Sequence, residues 1–240
     1  MRATKFEFEQ RFWIIGLIFW LGFGLYGVDH MNFAVALLHW LAPALNPDAG
    51  RGKTYLQIIF GCGALLVWGA AALRTWATAY LRTEIVHDTA QHSGNVVADG
   101  PYRYVRNPLY LANIPMAAGF AVLASRFGWF VVVGGTWVFI YRLILREEDG
   151  LKRAQGEAYA RYLEAVPRLW PALRARVPAT GAKPHWGQAF AGESLFWLFG
   201  LAVLSFAITL TFKIFVIVLC LSFAVYFISV HLAKNRASAS

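Results

Sequence analysis

Long apolar runs dominate this chain and restrict what it can fold into. A helix needs about 17–25 apolar residues to cross a bilayer. Runs of that length cover 12–28, 54–81, 108–125, 127–145, 194–212 and 214–232. Charged residues make up only 15% of the chain, against roughly a quarter in soluble domains. The sequence therefore predicts an all-α, polytopic membrane helix bundle with about six transmembrane helices.

A further apolar run, at 33–45, is too short to be grouped with these six. Its length is typical of a re-entrant or interfacial helix. The basic residues favour the same interpretation. With six crossings and a cytoplasmic N-terminus, most of the 22 lysines and arginines fall on the cytoplasmic side. A crossing by 33–45 would place that excess outside, against the positive-inside rule.

The charge distribution also predicts the location of the protein. We expect an integral membrane protein with both termini in the cytoplasm. The net charge of +9 then reflects orientation, and nucleic acid is not an expected partner. Cys62 and Cys220 have no Cys or His at a ligand spacing, so no metal site is predicted.

The connection between the runs 108–125 and 127–145 is very short. Short connections make consecutive helices antiparallel neighbours, so the start of the first helix meets the end of the second. Two polar clusters are expected to meet there. They are Tyr102, Arg103, Arg106, Asn107 and Tyr110, and Arg142, Arg146, Glu147, Glu148 and Asp149. Spacing alone also fits simple anchoring at the interface, a common role of arginine and tyrosine.

The first cluster ends on a predicted helix start. Asn107 is suited to cap the helix, and Pro108 fits its first turn because the missing N–H would be unpaired there. Free N–H groups at such a start favour an anion. After the second cluster, 146–165 has apolar residues at helical spacing and acid-before-base pairs four residues apart. It predicts an amphipathic helix against the cytoplasmic face, ended by Pro167.

Two motifs follow one another along this part of the chain. The first is G-P-Y-x-x-x-R-N-P-x-Y, from Gly100 to Tyr110. The second is E-E, then G-x-x-Y-x-x-Y and V-P-R, from Glu147 to Arg168. In this order and spacing they resemble the motifs of the isoprenylcysteine carboxyl methyltransferase and phospholipid methyltransferase superfamily. The resemblance covers roughly 60–171.

This resemblance implies a membrane methyltransferase that uses S-adenosylmethionine, bound at the cytoplasmic ends of the helices. The acceptor would be a lipophilic small molecule or lipid, methylated on a carboxylate, amine or thiol. The implied domains are 1–53, an N-terminal span with the short helix; 54–183, the methyltransferase core; and 184–240, a C-terminal transmembrane hairpin. The implied cofactor-binding residues are Val96, Val97, Tyr102, Arg106, Asn107, Pro108, Leu109, Tyr110, Glu147 and Glu148.

The chemistry of these side chains agrees with the resemblance. Free N–H groups at the helix start suit the carboxylate of S-adenosylmethionine. Glu147 suits its ammonium or its ribose hydroxyls. The ring of Tyr102 or Tyr110 can stabilise its sulfonium by a cation–π contact, about 0.5–2 kcal/mol.

The chain departs from the prenylcysteine enzymes at two positions. Asn107 stands where they typically have histidine, and asparagine cannot titrate near neutral pH. Leu143 stands where they have a substrate-contacting arginine, so Arg142 and Arg146, close by, are assigned that contact. The resemblance therefore predicts the methyl donor, and the prenylcysteine acceptor is not carried over.

Two other functions remain open from the sequence. A membrane sterol-type reductase of similar architecture would bind NADPH, although no additional dinucleotide motif is present. A non-enzymatic scaffold or transporter would bind no cofactor. It would also give no reason for the two polar clusters to meet at one hairpin.

Overall fold

The computed structural model describes residues 1–87 and 98–238, and the all-α prediction is confirmed over these ranges. No strand is present in them. The α-helices are α1 Lys5–Glu9, α2 Arg11–Gly24, α3 Phe33–Leu41, α4 Gly50–His87, α5 Pro108–Ala121, α6 Arg126–Ala165, α7 Trp186–Thr209 and α8 Phe212–Ser238. Short 3-10 helices lie at Leu25–Gly27 and Gly100–Arg103.

Three of these helices are long and apolar enough to cross a membrane, within the part of the chain that is described. The segments are Gly50–Leu81, Arg126–Ala165 and Trp186–Thr209, and shorter apolar helices lie at Arg11–Gly27 and Phe212–Ile228. α5 has only 14 residues. The protein is thus an integral membrane protein, while the count of six crossings stays a prediction, as does the division into three domains.

Helix α4 lies at the centre of the bundle and packs most extensively against α5 and α7. Glycines allow the closest crossing between α4 and α5. A Cβ added to Gly63 would lie 2.8 Å from the carbonyl oxygen of Gly119, and one added to Gly119 would lie 2.4 Å from that of Gly63. Small residues of this kind let membrane helices approach closely. This crossing fixes the position of α5, including its first turn, relative to α4.

The short helix α3 lies where the sequence predicts it, and hydrogen bonds hold it to the α5–α6 connection. The Asn32 side chain caps α3 by accepting from the N–H groups of Ala34 and Val35. Backbone bonds join Phe33 N–H to the Ala124 carbonyl and Arg126 N–H to the Met31 carbonyl. This end of the bundle is therefore tied together far from the predicted site.

The amphipathic helix predicted for 146–165 is not a separate element. It continues from the apolar part of α6, and the helical geometry is broken only at Gly156, with φ 57° and ψ −130°. Nothing between 145 and 156 is a strong helix breaker, since even glycine in a helix costs only about 1 kcal/mol relative to alanine. The helix therefore leaves the apolar region without interruption and changes direction at Gly156, where φ is positive.

Arg74 lies within α4 and has its charge neutralised inside the bundle. Its Nε lies 2.6 Å from Oε2 of Glu193 on α7, and its Nη1 donates to Oδ1 of Asn113 on α5 at 3.1 Å. Glu193 also accepts from the Thr78 hydroxyl. Charges at such positions are costly unless paired. This ion pair joins α7 to α4, and the bond to Asn113 extends the contact to α5, whose first turn carries the end of the first motif.

Candidate functional site

The loop before α5 begins at a glycine with no room for a side chain. Gly100 has φ +57°, and an added Cβ would lie 2.3 Å from a ring carbon of Tyr80. Both the backbone conformation and the ring contact favour glycine. Pro101 follows near the start of the 3-10 helix and is buried. Gly100 and Pro101, the first two residues of the first motif, therefore form a tight turn that packs on α4.

Asp99 ties this loop to the chain beyond α6. Its carboxylate accepts from the N–H groups of Thr180 at 2.9 Å and Ala182 at 3.0 Å, and from the Thr180 hydroxyl. Burial of Asp99 disfavours its charged form, but these hydrogen bonds outweigh that effect and hold its pKa below the usual value. The loop is therefore fixed by a carboxylate that is ionised at neutral pH.

Two tyrosines of the second motif pack under the same loop. The Tyr162 hydroxyl donates to the Tyr102 carbonyl at 2.8 Å, and the Arg106 N–H donates to the Pro167 carbonyl at 2.9 Å. Tyr159 is buried beside Tyr162, with the two ring centroids 5.8 Å apart. The role of the G-x-x-Y-x-x-Y segment is to hold the loop in place.

Glu148 is the centre of a buried ionic network. Its side chain is only 6% exposed and lies between Arg106, 3.2 Å away, and Arg168, 2.8 Å away. The Asn107 side chain donates to its Oε1 at 3.0 Å. The hydrogen bond to Glu148 raises the pKa of Arg168. The charges of Arg106 and Glu148 therefore neutralise each other inside the protein. Both residues hold the loop before α5 in its conformation.

The prediction that the Asn107 side chain caps α5 is wrong. Asn107 does occupy the cap position, and Pro108 begins the helix, but the side chain makes no capping bond. Its amide donates instead to Glu148 and to the Arg168 carbonyl. In the first turn, Pro108 has no N–H, and helix geometry leaves those of Leu109 and Tyr110 without an intrahelical partner. These two N–H groups are available to an anion.

Tyr110 and Glu147 meet across the hairpin, as the sequence predicts. The Tyr110 hydroxyl donates to Oε2 of Glu147 at 2.7 Å. Within the described residues no hydrogen bond reaches the other carboxylate oxygen, and Glu147 is only half-buried. A negative group and an aromatic ring thus stand beside the uncapped start of α5. The arrangement suits a ligand that carries both a cationic and an anionic group.

Arg142 and Arg146 contact the N-terminal segment, and no local sequence pattern predicts this contact. Arg142 lies 2.9 Å from Oε2 of Glu7, and Arg146 donates to the Ala3 carbonyl at 3.1 Å. Hydrogen bonds from Thr4 and the charge of Arg142 hold the pKa of Glu7 below its usual value. The capping box of α1, Thr4-x-x-Glu7, is the sequence signal that predicts this helix.

The structure brings together most of the predicted site residues. Pro108 and Tyr102 are buried, and Leu109 is half-buried beside Tyr110. Val96 and Val97 lie outside the described residues.

Comparison with protein families gives one finding that bears on function. Residues 56–158 match the model of the phospholipid methyltransferase family. The matched segment runs from α4 through the first motif to the part of α6 that carries Glu147 and Glu148. Comparisons with curated proteins and with solved structures gave no match.

The family match confirms the resemblance predicted from the two motifs. It indicates a membrane methyltransferase. Helices α1 to α3, and α7 with α8, lie outside the matched residues.

Proposed function

We propose that this protein transfers a methyl group from S-adenosylmethionine to a lipophilic or membrane-associated acceptor. The observation that carries the proposal is the pairing of Tyr110 with Glu147 beside the uncapped start of α5. The family match supports the reaction class, and this geometry supports the methyl donor. The acceptor atom would belong to a carboxylate, an amine or a thiol.

The side chains at the site fit the groups of S-adenosylmethionine. The N–H groups of Leu109 and Tyr110 would hold its carboxylate, because helix starts bind anions. The carboxylate of Glu147 would hold its ammonium or its ribose hydroxyls. The ring of Tyr110 or Tyr102 would lie against its sulfonium. By the family resemblance, Val96 and Val97, which precede the first motif, would flank it. When bound, S-adenosylmethionine supplies an electrophilic methyl group.

The remaining residues would act by holding the site rigid. Methyl transfer depends mainly on alignment of the reacting atoms and on exclusion of water. The Glu148 network and the Tyr162 hydroxyl keep the loop from Tyr102 to Asn107 in place. Asparagine does not titrate near neutral pH, so Asn107 would not supply a base to the acceptor. Arg142 and Arg146 would contact that acceptor.

The site would face the cytoplasm, where S-adenosylmethionine is available. The distribution of lysine and arginine along the chain supports this orientation. Both termini would then be cytoplasmic, in the inner membrane of a bacterium. Membrane lipids would surround the bundle and supply or admit the acceptor.

Calorimetry on the purified protein in detergent tests the proposal. S-adenosylmethionine should bind the wild type, and Glu147→Ala or Tyr110→Ala should weaken binding about tenfold or more, corresponding to at least about 1.4 kcal/mol. Glu157→Ala is the matched control, because Glu157 is an exposed acid of the same helix. Absence of binding to the wild type would refute the proposal. Tighter binding of NADPH would favour a reductase instead.

A further inference from the structure

The chain between α6 and α7 contains a basic segment, residues 166–177, that lies outside the residues matching the family. It carries Arg168, Arg174 and Arg176, and the sequence has no aspartate or glutamate from 165 to 192. It also carries two large apolar side chains at the surface, since Trp170 is 75% exposed and Leu173 is fully exposed. Positive charge and exposed apolar side chains therefore occur together in one short stretch.

The basic segment runs along the loop before α5 and is bonded to it. Three backbone hydrogen bonds, each of 2.9 Å, join the two segments. They run from the N–H groups of Arg106, Ala172 and Arg176 to the carbonyls of Pro167, Tyr104 and Arg103, respectively. The Arg103 side chain adds a bond to the Val177 carbonyl. A partner that holds the basic segment in place therefore also holds the loop before α5.

One part of the basic segment lies against the exposed side of α6. The ring centroid of Trp170 lies 6.2 Å from that of Trp137, and Arg168 donates to the Tyr141 hydroxyl at 3.1 Å. Trp137 and Tyr141 are one turn apart, and both are exposed. They belong to the apolar part of a helix long enough to cross the membrane, so this side of α6 faces lipid. Trp170 therefore lies beside lipid, where aromatic residues are typical of the membrane interface.

The guanidinium groups of Arg174 and Arg176 are available to an external partner. Both residues are exposed, and neither side chain has a hydrogen bond or an ion pair within the described residues. Arg168 differs, because Glu148 neutralises its charge. Guanidinium groups bind phosphate oxygens through paired N–H donors, and anionic lipid headgroups attract basic residues close to a membrane surface. The two arginines are therefore suited to anionic headgroups.

The apolar side chains favour a lipid over a water-soluble acidic partner. A soluble partner would contact the arginines and leave Trp170 beside the hydrocarbon without a role. An anionic phospholipid offers a phosphate and acyl chains within one molecule. Amphipathic surfaces of this composition bind membranes through buried apolar area together with attraction to anionic lipids. The arginines and the apolar side chains thus point to the same partner.

We propose that the basic segment binds anionic phospholipid headgroups of the surrounding leaflet, with Arg174 and Arg176 contacting the phosphates. Trp170 and Leu173 lie among the upper parts of the acyl chains. Lipid bound there holds the basic segment against the loop before α5, and the reaction does not consume it. Only the consequence for S-adenosylmethionine rests on the proposed function: its affinity would then depend on the lipid composition of the membrane.

Hydrogen exchange of the full-length protein in lipid nanodiscs tests this inference. One set of nanodiscs contains phosphatidylcholine alone, and the other contains an equal mixture of phosphatidylcholine and phosphatidylglycerol with the same acyl chains. The amides of Arg106, Ala172 and Arg176 donate between the two segments, so they report on how firmly the segments are joined. We expect their exchange to be about tenfold slower in the mixture.

Two matched double variants locate the lipid contact. Arg174→Gln with Arg176→Gln should remove the difference between the two kinds of nanodisc. Arg51→Gln with Lys53→Gln is the control, because these exposed residues have the same spacing and charge but lie at the start of α4. The loop before α5 packs near Tyr80, toward the other end of that helix. The control variant should therefore keep the full response to phosphatidylglycerol.

A third variant tests the apolar part of the surface. Leu173→Asp places a negative charge among the anionic headgroups, at a position where the wild-type side chain is fully exposed and packs on nothing that folding requires. It should reduce the response to phosphatidylglycerol about as much as the double arginine variant. Glycerol 3-phosphate, added to phosphatidylcholine nanodiscs, should have no effect, because it offers the phosphate without acyl chains.

The outcomes separate this inference from the proposed function. Equal exchange in the two kinds of nanodisc, or an equal loss of response in both double variants, would overturn the binding surface. An effect of glycerol 3-phosphate as large as that of the lipid would do the same. If phosphatidylglycerol slows exchange but S-adenosylmethionine never binds, the lipid surface stands and the proposed function fails. If S-adenosylmethionine binds equally in both nanodiscs and exchange is also equal, the proposed function stands and the lipid surface fails.

Discussion

The Tyr110 hydroxyl donates to Oε2 of Glu147 at 2.7 Å, and this bond joins the first motif to the second. The two residues come from antiparallel helices whose connection is only a few residues long. The bond orients the carboxylate toward the start of α5. A ligand held by that helix start would therefore meet a carboxylate in a fixed position.

We expect the two residues to act as a unit in binding S-adenosylmethionine. Tyr110→Phe keeps the ring but removes the bond that orients Glu147, and Glu147→Gln removes the charge. The double variant should bind more tightly than the sum of the single losses predicts, by a coupling of about 0.5–3 kcal/mol. Calorimetric titration of the four proteins measures the cycle. Strictly additive losses would show that the two residues act independently.

Glu148→Gln should destabilise the protein strongly. The change leaves Arg106 and Arg168 without a carboxylate in a buried site, and breaking a buried ion pair in this way costs about 3–5 kcal/mol. Thermal unfolding in detergent provides the measurement. Glu157→Gln, at an exposed position of the same helix, should change stability by less than about 0.5 kcal/mol. Similar unfolding of the two variants would contradict the buried network.

Asp99 should make stability depend on pH in the acid range. Its pKa is lowered in the folded state, so its contribution is present above the unfolded value of about 3.9 and is lost as pH falls through the lower folded value. Asp99→Asn should cost about 1–3 kcal/mol at neutral pH through lost hydrogen bonds. Unfolding curves from neutral to acid pH should show this difference shrinking. A difference that stays constant would disprove the role of the charge.

Gly119→Leu should disrupt the crossing of α4 and α5. An added Cβ would lie 2.4 Å from the Gly63 carbonyl oxygen, which belongs to rigid backbone. We expect loss of folded protein, or a much lower unfolding temperature. Gly134→Ala is the control, because a Cβ there meets nothing within 4 Å, and alanine favours the helix by about 1 kcal/mol. If Gly119→Leu unfolds like the wild type, the close crossing is absent.

Local sequence patterns predicted the all-α fold and the contact between the two motifs. Pro108 at the start of α5 and the meeting of Tyr110 with Glu147 follow from local rules on helix starts and short connections. The length of the apolar run 33–45 predicted a short helix there, and α3 covers Phe33–Leu41. The continuity of α6 was missed because the change from apolar to polar residues marks a membrane boundary without ending a helix.

The contacts that sequence patterns missed are those between distant segments. Asn107 has the residue type of a helix cap, but Glu148 and the Arg168 carbonyl take up its amide. No local pattern shows that competition. The N-terminal segment reaches Arg142 through Glu7, more than a hundred residues away in sequence. Its capping box predicts a helix and says nothing about what that helix contacts.

The number of residues between Glu148 and the break at Gly156 determines where the two tyrosines of the second motif point. Each residue of a helix turns the chain by about 100°. One residue inserted between Glu148 and Gly156 would swing Tyr162 away from the Tyr102 carbonyl, to which its hydroxyl donates. A single insertion or deletion in this stretch should therefore disrupt the loop before α5, even where it leaves every residue of that loop unchanged.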